Sequence, residues 1–246
     1  MSFNIEVEGG SSVRLPTAGK YCDRDIVITA TGGGGGGGVS LELFVTQGVL
    51  SDSSLTEISE NNVFRGIYNL KKLDLPNVIK TGTYLCYGCT NLEEVNLPNC
   101  TTLGAYAFYN NTSLRRIDFP KLTSAPATAF RQCTSATEAN LPVCTTLNSY
   151  AFHGSTSLEK LDFPKVKWLG AQVFNGCSAL TALIFRYNGI VAMSNANNIF
   201  ANTPIASGTG YIYVPSALVD SYKTETNWKK YESKIRAIED YPDICG

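Results

Sequence analysis

Eight cysteines and a single histidine are the residues of this 246-residue chain best suited to chemistry. Cys86-Tyr-Gly-Cys89 spells C-x-x-C, the spacing of a redox dithiol or of half a zinc site. The remaining cysteines do not converge on it. Cys89, Cys133 and Cys177 recur every 44 residues, as do Cys100 and Cys144 in the phrases NCTTL and VCTTL. Cys86 stands in a slot that elsewhere carries Phe. Thiols placed by such a register read as small buried hydrophobes. His153 would need a nucleophile and an orienting acid to act as a catalyst, and no motif supplies them. Other units place Arg, Tyr, Tyr, Arg and Asn in its position, the mark of a surface turn. The residues therefore give no catalytic set, no metal site and no cofactor, and the expectation is a protein that is not an enzyme.

The elements that must position these residues form a repeat. Phe64, Cys86, Phe108, Phe130, Phe152 and Phe174 are spaced by 22 residues, and Pro76, Pro98, Pro120, Pro142 and Pro164 keep the same step. Between them the pattern L-x-x-L-x-L is read six times, from Leu70/Leu73/Leu75 to Leu180/Leu183/Phe185. Its last three residues alternate as a half-buried strand does. The proline that follows five of the six ends the strand, because it has no N–H for the ladder. One unit cannot bury its own apolar residues, so units must stack. Stacked in register, the strands form a parallel sheet spaced by about 4.8 Å. Residues two units apart are then about 9.6 Å from each other, beyond the roughly 7 Å Cα limit for a disulfide. Cys89–Cys133 and Cys100–Cys144 are thus not expected to bridge. The state of Cys22 and Cys245 is left open. A 22-residue period lies in the leucine-rich-repeat range, and the 44-residue recurrence implies that a block of two units was duplicated.

Charge narrows the partners. Twenty Lys and Arg against 21 Asp and Glu give a net charge of −1, which argues against nucleic acid. No apolar run reaches the roughly 18 residues of a membrane span, and the start MSFNIEVEGGSSVRLP shows neither the basic nor the apolar segment of a secretory signal. Seven consecutive glycines, residues 32–38, read as a flexible tether; GGVS follows them where a phosphate loop would need Lys-Ser/Thr.

The phrases CTNLEEVNLPNCTTLGAYAF and STSLEKLDFPKVKWLGAQVF resemble the BspA-type leucine-rich repeats of bacterial surface proteins. That resemblance implies a recognition or adhesion protein binding a protein or glycan ligand. The segment RLPTAGKYCDRDIVITA resembles the opening of prophage tail-associated proteins, which implies an alternative role on a phage particle, with the repeats recognising the bacterial surface. The expected organisation is a small β-rich module (1–31) able to self-associate, a glycine linker (32–38), an N-terminal cap (39–63) with a short helix from SDSSLTEISENN, six repeats (64–185) and an αβ cap (186–246). In that last cap YIYVP forms a strand, and Trp228, Tyr231, Ile235 and Ile238 line one helix face.

Two surfaces are candidates for the ligand. The outward strand positions are Lys72/Asp74, Glu94/Asn96, Arg116/Asp118, Glu138/Asn140 and Lys160/Asp162, followed by Ala182/Ile184. Their alternating signs serve either as a ladder that keeps the sheet in register or as a polar concave binding face. Tyr84, Tyr106 and Tyr150 share one slot, and Tyr87 and Tyr109 another. They form the second candidate, since tyrosine is enriched at binding hot spots. A bare structural spacer is the remaining reading.

Overall fold

The computed structural model describes residues 48–246 except 196, together with the strand backbones Glu6–Val7, Ser11–Ser12, Ile26–Thr29 and Glu42–Thr46. The glycine run, the phrase RLPTAGKYCDRD and Cys22 lie outside the described residues, and with them the tether, most of the tail-like segment and the expected self-association.

Each coil of the chain has three sides. The first is a strand of three or four residues from the L-x-x-L-x-L motif, its leucines fully buried and its intervening residues turned outward. The second is a two-residue strand after the proline turn, as in Lys80–Thr81, Ser124–Ala125, Thr146–Leu147 and Trp168–Leu169. The third is a turn carrying the Phe slot. Like stacks on like in parallel, without offset: Lys72, Leu73 and Asp74 sit beside Glu94, Val95 and Asn96, and Thr146 beside Trp168. The chain is therefore a leucine-rich-repeat solenoid, with the Phe slot as its spine. Phe108, Phe130, Phe152 and Phe174 stack ring on ring at 5.5–6.1 Å.

The strand ladder is not uniform. Pairing is recorded from Val49–Ser51 through Lys72–Asp74 to Glu94–Asn96, then between Arg116–Asp118 and Glu138–Asn140, then from Lys160–Phe163 onward. It lapses between the strands at 94 and 116 and between those at 138 and 160. The lapses are 44 residues apart, the same period as the cysteines.

Both ends depart from the sequence expectation. SDSSLTEISENN is not a helix: Val49–Ser51 and Leu55–Ile58 are strands joined by a turn. The Asp52 carboxylate accepts from Ser54 N (2.6 Å) and Leu55 N (3.1 Å) within that turn. Strand wins because Leu55 and Ile58 are fully buried, and the segment adds a rung beside Lys80–Thr81. At the other end the stack does not stop at residue 185. Phe200 stacks on Phe174 at 5.7 Å, the extra residues being absorbed in the loop before it. Tyr211–Val214 then pairs in parallel with Ala182–Phe185, and Ile235–Ala237 with Tyr211–Val214. Ile235 is thus an edge-strand residue rather than part of a helical face, because the Ile212 backbone offers it a partner. Among the described residues helix is confined to short pieces, the longest α-helix being Val219–Thr224. Trp228 and Tyr222, both fully buried, close the core; the Trp228 indole donates to Val191 O at 2.6 Å.

The C-terminal segment from Ile238 to Cys245 folds back over the strand side. Ala182, Ile184, Tyr213 and Cys245 form a second small core there with Tyr211, Ile238, Tyr241 and Ile244. This accounts for the apolar pair Ala182/Ile184 at outward positions: those positions are roofed.

Candidate functional site

On the strand side the predicted residues meet one another. Lys72 Nζ lies 3.1 Å from Glu94, and Arg116 Nε lies 3.5 Å from Glu138. In the next file Asn96 donates to Asp74 at 2.7 Å and Asn140 donates to Asp118 at 2.8 Å. The side chains pair two by two across the same junctions as the backbone, not along a continuous file. Lys160 faces Ala182, while Asp162 is held by the Arg186 guanidinium at 2.7–3.0 Å. Exposed pairs of this kind contribute about 0.2–1 kcal/mol each. They set register and cancel much of their own charge.

The turn side differs. Its Tyr slot is occupied by Asn62, Tyr84, Tyr106, Thr128, Tyr150, Gln172 and Asn198, all in the left-handed region with φ between 53° and 63°. That conformation costs a side-chain-bearing residue about 1–2 kcal/mol and suits Gly or Asn best. Three tyrosines stand there nonetheless. Backbone bonds lock successive turns together: Tyr84 N to Ala105 O, Cys86 N to Ala107 O and Gly88 N to Tyr109 O, all 2.7–2.9 Å. The rings consequently stack, Tyr84 on Tyr106 at 4.9 Å and Tyr87 on Tyr109 at 4.7 Å, each pair 16° from parallel.

Guanidinium groups close the pile at both ends. Arg65 lies 4.6 Å from the Tyr87 centroid and 5.6 Å from that of Tyr84. Arg131 lies 5.6 Å from both Tyr109 and Tyr150. Ring faces are thus occupied by neighbours or by cations, and edges and hydroxyls are what remain to solvent. Thr128 replaces the tyrosine midway along the file and is 3% exposed, so the tyrosine row is interrupted between Tyr106 and Tyr150. Beyond Tyr150 the file turns into amides. Gln172 donates to the Tyr150 hydroxyl and accepts from Asn175, both at 3.1 Å. The file ends at a hollow of about 300 Å³ lined by Asn198, Ala201, Ile205, Lys230, Tyr231 and Lys234.

The cysteines and His153 do no chemistry that this geometry can identify. All seven described cysteines are free and buried, and burial pushes the thiols of Cys100, Cys133 and Cys177 up to about 12. They are also more than hydrophobes. Cys89, Cys133 and Cys177 donate to the carbonyls of Phe64, Phe108 and Phe152 at 2.9–3.3 Å. Asn111 and Ser155 fill the alternate rungs and donate to Cys86 O and Phe130 O in the same way. The slot thus selects a small donor, a role that shows in the sequence only when Cys, Asn and Ser are aligned. Burial and the Arg131 charge hold the His153 imidazole below its usual range, whereas an orienting carboxylate would raise it. Among the described residues no three of His, Cys, Asp and Glu gather as metal ligands.

Comparison with known proteins agrees with this architecture. A search of curated proteins finds no match. Two similar solved structures are a leucine rich cell surface protein from Faecalibacterium prausnitzii A2-165 and a leucine rich repeat protein from T. pallidum. The first is 18% identical with a TM-score of 0.54 over 76% of this chain and 55% of that one. The second is 22% identical with a TM-score of 0.57 over 79% and 88%. This chain spans little more than half the length of the Faecalibacterium protein. The comparisons give no support to the tail-protein resemblance of the N-terminal segment. The family model for the BspA type leucine rich repeat region matches in six copies, over residues 56–181 and 101–212. The chain belongs to the BspA-type leucine-rich-repeat family.

Proposed function

We propose that this protein is a non-enzymatic recognition or adhesion protein, and that its ligand-contacting surface is the tyrosine–arginine ridge of the turn side. One observation carries the choice of face. Strand-side Arg115, Arg116 and Arg186 are each bound to a carboxylate, whereas Arg65 and Arg131 lie against tyrosine rings, with Arg65 also donating to the neutral amide oxygen of Asn62 at 3.1 Å. Most strand-side charges are paired with one another, and that side is roofed at one end by the C-terminal segment. The ridge carries tyrosine hydroxyls and two guanidinium groups that no carboxylate among the described residues neutralises, at the expense of left-handed tyrosines.

The test is an array of glycans and extracellular-matrix proteins probed with three forms of the full chain. In the first variant Tyr87 and Tyr109 become Ala. In the second Lys72, Arg116 and Lys160 become Glu. We expect wild-type hits to weaken about tenfold or more in the first, as for hot-spot tyrosines, and to persist in the second. The opposite pattern would return the site to the strand side. No hit for wild type would leave the protein a spacer.

A further inference from the structure

We infer that the turn side binds an acidic polysaccharide, whose carboxylates lodge beside Arg131 and against Lys230 and Lys234 in the terminal hollow. This rests on the turn-side reading above and adds the ligand's chemistry. Three observations carry it.

The first is charge. Residues 61–69, 82–91, 104–113, 126–135, 148–157, 170–179 and 197–205, the turn segments of seven successive coils, hold no Asp or Glu, although the chain has 21. Arg65 and Arg131 therefore have no carboxylate within their own turn segments; Lys230 and Lys234, on the adjoining cap, share the segment Lys229–Lys234 with Glu232, and Lys234 Nζ donates to Gly208 O at 3.3 Å. Arg131 Nε and His153 Nδ1 are buried without a hydrogen-bond partner, so no carboxylate of this chain has been drawn to them. An anionic ligand complements such a face.

The second is orientation. Tyrosine faces are consumed by stacking and by Arg65 and Arg131. A nucleic acid needs open aromatic faces for its bases, and this ridge has few to give. What it offers is two pairs of phenol hydroxyls one coil apart (about 4.8 Å), Tyr84/Tyr106 and Tyr87/Tyr109, with Tyr150 two coils further on, together with guanidinium, amide and ammonium donors. A periodic donor surface suits a periodic chain of hydroxyl and carboxylate acceptors.

The third is the lack of apolar anchors. Among the described residues the exposed large hydrophobic ones are Val49, Tyr68, Ile79 and Trp168. Of these only Tyr68 is on a turn segment; a protein partner would need a desolvated apolar centre.

The experiment is affinity electrophoresis of the full chain through gels cast with polygalacturonate, with the same polymer fully methyl-esterified, or with polyphosphate. We expect retardation by polygalacturonate alone, weakened about tenfold by Arg131→Gln and likewise by Lys230→Gln with Lys234→Gln, the size of a lost charge-assisted contact. Tyr87→Phe with Tyr109→Phe should also weaken it while keeping the stack and the melting temperature. Equal retardation by the esterified polymer would show that carboxylates are not recognised, and equal retardation by polyphosphate would show a generic polyanion site. Either overturns the inference. Absence of retardation, with array hits that the Tyr87 and Tyr109 variants abolish, would discard the acidic polysaccharide and keep the ridge. Array hits untouched by those variants would discard both.

Discussion

At the scale of single residues the clearest lesson is the rung that alternates Cys, Asn, Cys, Ser and Cys. Its members donate to the carbonyl of the preceding coil's Phe slot, so replacement should follow donor capacity rather than hydrophobicity. Cys133→Ser should be tolerated, since Ser155 does the same work one coil on. Cys133→Ala strands the Phe108 carbonyl and should cost about 1–2 kcal/mol in urea unfolding. A hydrophobic role alone predicts the reverse order. The spacing of these thiols and their burial were legible from the sequence; the bond was not, because sulfur donors look apolar until their register-mates are compared. The tyrosine slots were equally legible. Their guanidinium caps were not, since Arg65 and Arg131 reach the rings only once 22-residue steps are folded into adjacent coils.

At the scale of elements, local signals failed where a neighbouring coil offered a better partner. Capping residues at 51–62 read as a helix start, yet the segment pairs as a strand because Leu55 and Ile58 complete the core. Ile235 fell on helical spacing, yet it joins the sheet edge. Regular units were read correctly because pattern and stacking agree there. Close stacking also dictates a glycine. A Cβ on Gly104 would sit 2.0 Å from Gly82 O, backbone against backbone. Gly104→Ala should therefore destabilise by about 1–3 kcal/mol, the usual penalty for overpacking, and lower the melting temperature by several degrees. An unchanged melt would mean the coils are looser than their hydrogen bonds indicate.

At the scale of the molecule the buried thiols act together. Unfolded, a thiol loses its proton near 9; folded, Cys100, Cys133 and Cys177 hold theirs to about 12. The folded chain binds more protons across that window, so stability falls as pH rises through it. Each thiol withdraws about 1.4 kcal/mol per pH unit. The urea midpoint should drop steeply between pH 9 and 10.5, and a variant with Ser at all three positions should flatten that slope. Alkylating reagents at pH 8 should leave Cys100, Cys133 and Cys177 untouched in the native chain.

The lapses in the strand ladder after residues 96 and 140 have a consequence for how such a protein changes length. The breaks in strand pairing, the Lys72–Glu94 and Arg116–Glu138 pairs and the cysteine positions all recur every 44 residues, while the second strand file and the turn hydrogen bonds run on from coil to coil. Excising one such block, or copying it, rejoins like with like at every seam; moving a single 22-residue coil would set Cys against Cys and acid against acid. Unequal recombination in the encoding DNA is thus steered towards even numbers of coils. The ridge would gain or lose reach in increments of about 9.6 Å, two strand spacings, so that lineages could match the span of a polymer without redesigning any contact.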